Sequence, residues 1–392
     1  MDERSANLQQ SRPSSLYLRM VPILAFRTLA HKLRKTLGFA THPRSLTITI
    51  TRRCNSRCVM CNIWRLGRRQ EELPLDVITR FLDSPWFSQL VELDLTGGEP
   101  CLRDDLPELI RYVSRLQDHT LTSLKTVAMA SNGLLPERVA RVVAEILEAI
   151  QGKFDLAMVC SLDGLGEHHD RVRGVPGAYQ KVRETIARLQ KIKEKNPNFW
   201  LGIKTTILPM NWDQVPRLRQ FAQEQGLFHI LSPVLFAEER FRNLASRETL
   251  DVLGTHRRAL IDLYSQESLE NYYFSYVMVD TLKRNLRRVP CTAASDHFFV
   301  EGDGTVYPCP LLNLPIGRIQ THSVGNILES SQRKEIARKV GKLPSCSMCL
   351  EPGCIRFSQM SDGAGFLKFS HRQKTALRLR TAYLDEGLAK YF

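Results

Sequence analysis

Two periods of apolar residues alternate along residues 46–235. Short runs at 46–51, 91–95, 124–130, 155–161, 200–207 and 228–235 are rich in apolar and β-branched side chains and predict strands. Stretches at 75–83, 104–117, 136–150, 178–195 and 213–225 repeat at helical spacing. Strand-then-helix units in series predict an α/β domain with a parallel sheet and right-handed crossovers. The count fits either a barrel or an open doubly wound sheet. No G-x-G-x-x-G follows the first strand, so the dinucleotide-binding fingerprint is missing.

Outside this core the pattern changes. Residues 1–45 form a basic extension whose first part is polar. Within it, residues 23–37 predict an amphipathic helix: Phe26, Leu29, Ala30, Leu33 and Leu37 share one stripe, with Arg27, Lys32, Arg34 and Lys35 largely off it. Gly38 is the expected C-cap. Residues 236–285 read as a charged helical bridge, 286–360 as a small cysteine-rich module, and 361–392 as a basic, partly helical end.

Composition is globular, at 43% hydrophobic and 24% charged residues in 392. That length holds one large domain and a smaller one. No apolar run reaches transmembrane length, and the start Met1-Asp-Glu-Arg4 lacks signal-peptide character. Ten cysteines, mostly in two clusters with ligand spacings, predict metal binding in a reducing cytoplasm rather than a disulfide framework. The net charge is +14, with +6 on residues 1–45 and +4 on residues 356–392. Basic ends of this kind suit an anionic membrane surface or an acidic partner. Nucleic acid is disfavoured, because aromatic and basic residues are not interleaved.

The chemistry starts after the first strand. Cys54, Cys58 and Cys61 stand at C-x3-C-x2-C spacing in the next loop. Three soft thiolates suit zinc or an iron–sulfur cluster. A closed structural zinc site would need a fourth ligand, and none is near. A [4Fe–4S] cluster on three cysteines keeps one iron open.

This stretch resembles the cluster motif of the radical S-adenosylmethionine (radical SAM) enzymes. The resemblance implies a partial (β/α)6 TIM-like barrel. It also implies that the open iron binds SAM and that reduction yields a 5′-deoxyadenosyl radical. Gly97-Gly98-Glu99-Pro100 follows the second strand, where the family's loop receives the SAM amino group. Ser131 and Asn132 follow the third strand and suit a ribose, although both are ordinary turn residues. Ser161 and Asp163 follow the fourth and lead into His168-His169-Asp170-Arg171-Val-Arg173-Gly174. By resemblance to SPASM-type members, Ser161 and Arg173 face the SAM carboxylate and Asp163 reaches a hydroxyl of SAM or substrate. The paired histidines are expected in a loop and not on a metal.

The second cluster comprises Cys291, Cys309, Cys346, Cys349 and Cys354. Phe298–Pro308 reads as a hairpin turning at Asp303-Gly304. Gly304-x4-Cys309 followed by C-x2-C resembles the SPASM/twitch module, which binds auxiliary [4Fe–4S] clusters. Five thiols complete one cubane and not two. The expected ligands are Cys291, Cys309, Cys346 and Cys349, with Cys354 as spare or alternative; a zinc ribbon is the competing reading. Cys101 and Cys160 read as ordinary buried cysteines. The expected function is a radical SAM oxidoreductase, served by a reductant such as flavodoxin or ferredoxin, with alcohol or sugar dehydrogenation favoured. A peptide- or protein-modifying maturase is the enzyme alternative, and a zinc-binding interaction protein the non-enzyme one.

Overall fold

The computed structural model describes residues 13–66, 72–266 and 272–372. Among the described residues nine strands form one sheet, in the order β6-β5-β4-β3-β2-β1-β7-β8-β9. The six expected core strands are β1 Ser45–Thr51, β2 Glu92–Gly97, β3 Thr126–Ser131, β4 Asp155–Ser161, β5 Phe199–Ile207 and β6 Phe228–Pro233. All are parallel, each paired to its sequence neighbour. All seven β1 residues are buried, so its threonines face packed protein as its isoleucines do. Strands covered on both faces read as continuous apolar or β-branched runs for this reason.

The five expected helices are also present, at Leu75–Leu82, Leu106–Leu116, Pro136–Ile150, Ala178–Lys193 and Val215–Glu224. Pro136 opens its helix at the first turn, where no backbone N–H is needed. In Leu106–Leu116 the stripe Leu106, Leu109, Ile110, Val113 and Leu116 is buried. A sixth, short helix, Glu167–Arg173, corrects the expectation that His168 and His169 lie in a loop.

The hairpin forms as expected, from β7 His297–Val300 and β8 Thr305–Tyr307, with β9 Gly317–Arg318 added antiparallel. Gly304 takes a left-handed φ of 83° in its turn. β7 pairs parallel with β1, Leu46 opposite Phe298 and Ile48 opposite Val300. The hairpin thereby covers the edge of β1.

Backbone contacts divide the chain into two units, Thr41–Thr255 with Ala294–Arg333, and Met1–Ala40 with His256–Ala293 and Lys334–Phe392. The first holds the sheet. The second holds the N-terminal helix Pro13–Leu37, which closes at Gly38 with a φ of 74°. There Thr28 Oγ1 accepts from the Gly363 N–H at 3.0 Å and Lys35 Nζ donates to Val340 O at 2.8 Å. Tyr273, Tyr276, Phe366 and Phe369 form an aromatic cluster in the same unit. Of the basic C-terminal stretch, Gly363–Arg372 is helical; residues 373–392 lie outside the described residues.

Residues 236–243, expected to open the helical bridge, correct another expectation. They are not part of a helical bridge but form a loop after β6, bonded to the cysteine loop. Asn243 folds it by accepting from Ala237 N (3.1 Å) and donating to Leu235 O (2.9 Å).

Candidate active site

The parallel strands end together, as strands of α/β enzymes do at their sites. Cys54 follows β1, Gly97 ends β2, Ser131 ends β3 and Ser161 ends β4. The cysteine loop is fixed on two sides. Arg57 N donates to Arg173 O at 2.9 Å and Val59 N to Val172 O at 3.0 Å. These donors satisfy carbonyls that the end of helix Glu167–Arg173 leaves open. Ser56 Oγ adds a bond to Arg173 O at 3.1 Å. On the other side Asn62 N donates to Phe241 O at 2.9 Å, and Asn243 Nδ2 donates to Met60 O at 2.8 Å.

Gly97 and Gly98 are demanded by backbone, before any ligand. A Cβ on Gly97 would lie 2.0 Å from Thr51 O, and one on Gly98 2.2 Å from Arg53 O. Gly98 N and Glu99 N donate to those same carbonyls, each at 2.8 Å. The β2 loop is thus zipped to the residues leading into Cys54. Gly174 is similar: at φ 63°, a Cβ would meet Arg57 O at 2.4 Å.

Glu99 is fully buried. Its carboxylate accepts from Asn132 N at 2.6 Å and Cys101 N at 3.2 Å. Burial pushes its carboxyl up, against the pull of those N–H groups. Glu99 therefore ties β2 to the end of β3 and aims Asn132, whose Nδ2 lies 2.7 Å from Asn55 Oδ1 and 3.8 Å from Cys54 Sγ. Pro100 opens a buried turn, Pro100–Leu102. Ser131 Oγ accepts from Gly133 N at 3.0 Å, a turn role. Cys101 and Cys160 are fully buried.

Asp163 and Arg173 form an ion pair, 2.5 Å between Oδ2 and Nη2, with Asp163 completely buried and Arg173 nearly so. Thr206 N donates to the other Asp163 oxygen at 2.7 Å. Both carboxylate oxygens are thus engaged within the protein. Burial pushes the Asp163 carboxyl up while Arg173 and Thr206 pull it back, and the carboxylate holds the guanidinium charged. Arg173 Nη1 reaches Cys58 Sγ at 3.5 Å. His169 Nδ1 accepts from Asp163 N at 3.1 Å. Burial, with Arg173 nearby, lowers the His169 pKa to about 2, so the ring is neutral and serves the turn. Ser161 is half-buried at the end of β4.

Arg240 escaped the sequence reading. It is buried in the loop after β6, and its Nη2 donates to Thr96 Oγ1 at 2.8 Å and Gly97 O at 3.2 Å. Its buried Nη1 has no hydrogen-bond partner among the described residues. The signal available was its place shortly after the sixth strand, the same strand-end position as the other candidates.

Cys58 is buried, and Cys54 and Cys61 are half-buried. Burial raises the Cys54 pKa to about 12 despite the Ser56 N–H, and raises Cys61 against Ile63 N–H and Arg240. Ser56 Oγ sits 3.1 Å from Cys58 Sγ. Thiols held this way ionise for a thiophilic metal and otherwise stay protonated. Among the described residues no three Cys, His, Asp or Glu side chains are gathered as a single-ion site.

The sequence model of the Radical SAM superfamily matches residues 48–222. That stretch of the chain is a radical SAM domain. The SPASM iron–sulfur cluster-binding domain matches residues 291–350. The AdoMet-dependent heme synthase of Methanosarcina barkeri is 25% identical over 332 residues, 78% of this chain and 86% of that protein. The sporulation killing factor maturation protein SkfB of Bacillus subtilis is 23% identical over 287 residues, 73% of this chain and 64% of SkfB. Streptococcus suis SuiB bound to S-adenosylmethionine shares the fold, with a TM-score of 0.55 at 15% identity over 81% of this chain and 74% of SuiB. The protein is thus a radical SAM enzyme of partial-barrel α/β fold that uses SAM and a [4Fe–4S] cluster, with further iron–sulfur binding in its SPASM region. Its cysteine loop fits that cofactor in donor chemistry: three soft thiols, with Arg173 beside Cys58 and Arg240 near Cys61.

The SPASM cysteines of this radical SAM enzyme fall in both units. Cys291, Cys346, Cys349 and Cys354 belong to the unit with the N-terminal helix. Arg287 joins their three segments: its N–H donates to Ser347 O at 2.7 Å, and its Nη2 lies 3.4 Å from both Pro290 O and Cys354 O. Burial opposes the Arg287 charge, but the thiols of Cys349, Cys291 and Cys354 outweigh it and raise its pKa. Cys354 therefore shares one cationic environment with Cys291 and Cys349. Cys309 belongs to the sheet unit, just beyond β8, and lines a cleft with Glu238, Glu239, Phe299 and Tyr307.

Proposed function

We propose that Cys54, Cys58 and Cys61 hold the SAM-binding cluster of a radical SAM oxidoreductase acting on a hydroxyl-bearing small molecule. When bound, that cluster and SAM would supply a hydrogen-abstracting radical; the substrate would lose a hydrogen atom from carbon, its hydroxyl proton to solvent and one electron to an auxiliary cluster. The observation that carries the reading is the cysteine loop, fixed at the shared strand ends between helix Glu167–Arg173 and the loop bearing Arg240. Glu99 holds the β2 and β3 loops in register for SAM, with the Gly97, Gly98 and Pro100 backbone toward its amino group. Asn132, with Ser131, faces its ribose. Ser161 and Asp163 line the β4 end. A reductant such as flavodoxin or ferredoxin delivers the first electron.

For the SAM carboxylate, Arg240 joins Arg173. The Arg173 charge is balanced by Asp163, whereas the hydrogen-bond partners of Arg240 are neutral oxygens. A charged hydrogen bond contributes about 1.5–3 kcal/mol. Arg240→Gln is expected to raise the SAM Kd by about ten- to a hundredfold with iron content unchanged. Unchanged SAM affinity by equilibrium dialysis refutes this role.

Alcohol or sugar dehydrogenation is the favoured reaction. A single auxiliary cluster suits a reaction that has one electron to pass on after hydrogen abstraction. We assign one auxiliary cubane to the SPASM cysteines, because five thiols complete one cubane and not two. Reconstituted enzyme should hold about eight irons, and a count near twelve overturns the single-cluster assignment. Peptide modification is the second reading, favoured by the relation to SkfB, named as a maturation protein. The two separate on deuterated cell extract, fractionated by size. Deuterium in 5′-deoxyadenosine from the small-molecule fraction supports dehydrogenation of a metabolite, and deuterium only from the peptide fraction supports maturation. The same reading includes peripheral contact with an anionic membrane surface.

A further inference from the structure

The N-terminal helix is turned opposite to the usual amphipathic arrangement. Phe26, Leu29, Leu33 and Leu37 follow one another at helical spacing and are 69, 58, 51 and 56% exposed. Its inward face consists of Leu24 and His31, with Thr28 and Lys35 half-buried. Lys35 and Thr28 anchor that face to Val340 O and Gly363 N. The outward stripe thus does not pack on its own unit, and the anchors keep the helix from rolling to hide it.

What flanks the stripe is cationic. Lys32 is exposed on one side of it and Arg34 on the other. No Asp or Glu occurs in the sequence from Arg4 to Gln70. No described helix is long and apolar enough to cross a membrane. A rigid apolar stripe between cations, without acids, matches the boundary between anionic headgroups and acyl chains. A second copy of this helix would set cation against cation.

We infer that Phe26, Leu29, Leu33 and Leu37 form a docking face for an anionic lipid bilayer, with Lys32 and Arg34 on the headgroups. The inference deepens the peripheral contact proposed above by naming the face and its orientation. It stands independently of the substrate.

The test uses cluster-loaded, full-length protein and co-sedimentation with two vesicle types, phosphatidylcholine alone and phosphatidylcholine with phosphatidylglycerol. Wild type should sediment with the anionic vesicles only, and lose binding as the screening length falls from about 10 Å at 0.1 M salt to about 3 Å at 1 M. The double substitutions Leu29→Ser with Leu33→Ser, and Lys32→Glu with Arg34→Glu, should each weaken binding at least about tenfold. Both pairs are exposed and outside the site, so iron content and 5′-deoxyadenosine formation should stay at wild-type level. Wild type that ignores anionic vesicles, or variants that bind as wild type does, overturn the proposal. So does a wild-type dimer that the serine variant loses while vesicles are ignored, since the occupant is then a second copy. Loss of 5′-deoxyadenosine formation in wild type would strike the enzymatic reading and leave the docking result standing.

Discussion

Replacing Cys54, Cys58 and Cys61 together by alanine is expected to remove about four irons of about eight and to abolish 5′-deoxyadenosine formation under dithionite. The fold should survive. The loop is held by backbone N–H groups of Arg57 and Val59 on Val172 and Arg173 carbonyls, and by Asn243 on Met60 O, none of which involves a thiol. What disappears is the donor set alone. Burial keeps Cys54 and Cys61 protonated without metal, so metal binding must meet the cost of ionising them. That cost is repaid only when three thiolates act together, and single substitutions should already lower loading sharply. Iron assay and chromatography of the nucleoside read both outcomes. Undiminished 5′-deoxyadenosine formation in the triple variant would remove these cysteines from the reaction.

The strands and helices of the core were legible because each carries its own period. The run ending at Thr51 and the stripe Leu106, Leu109, Leu116 need no tertiary knowledge. The short helix Glu167–Arg173 was not legible. It is bracketed by Gly166 and Gly174 with φ of 57° and 63°, and its length gives no periodicity. Its stability comes from the cysteine loop that caps its carbonyls, a contact of distant residues. Pairing of β7 with β1 is similar: the hairpin was readable, its partner strand was not. Arg240 looked like part of a solvated charged segment until the fold put Thr96 and Gly97 against it. Asp163 was assigned to a ligand hydroxyl by likeness, and its burial against Arg173 is a property of packing. The N-terminal stripe was readable as a stripe, but which way it faces depends on Leu24, Thr28 and Lys35 finding partners elsewhere.

Asp163→Asn should be the most destabilising single substitution at the site. It preserves shape but leaves Arg173 buried beside a neutral amide, and removing one partner of a buried pair costs about 3–5 kcal/mol. The loss should spread to the cysteine loop, because Arg173 carries it through its carbonyl and touches Cys58 through its guanidinium. Adding Arg173→Met to Asp163→Asn removes the stranded charge. Buried pairs replaced by uncharged groups of similar volume often regain stability. The double variant is therefore expected to recover most of its denaturation midpoint. It should not recover SAM cleavage, since the cation beside Cys58 is gone. This separates a structural ion pair from one that also serves the cofactor. If the double variant regains both midpoint and 5′-deoxyadenosine formation, Arg173 only holds the fold. If Asp163→Asn alone unfolds at the wild-type midpoint, the pair is not ionic and the electrostatic account of this corner fails.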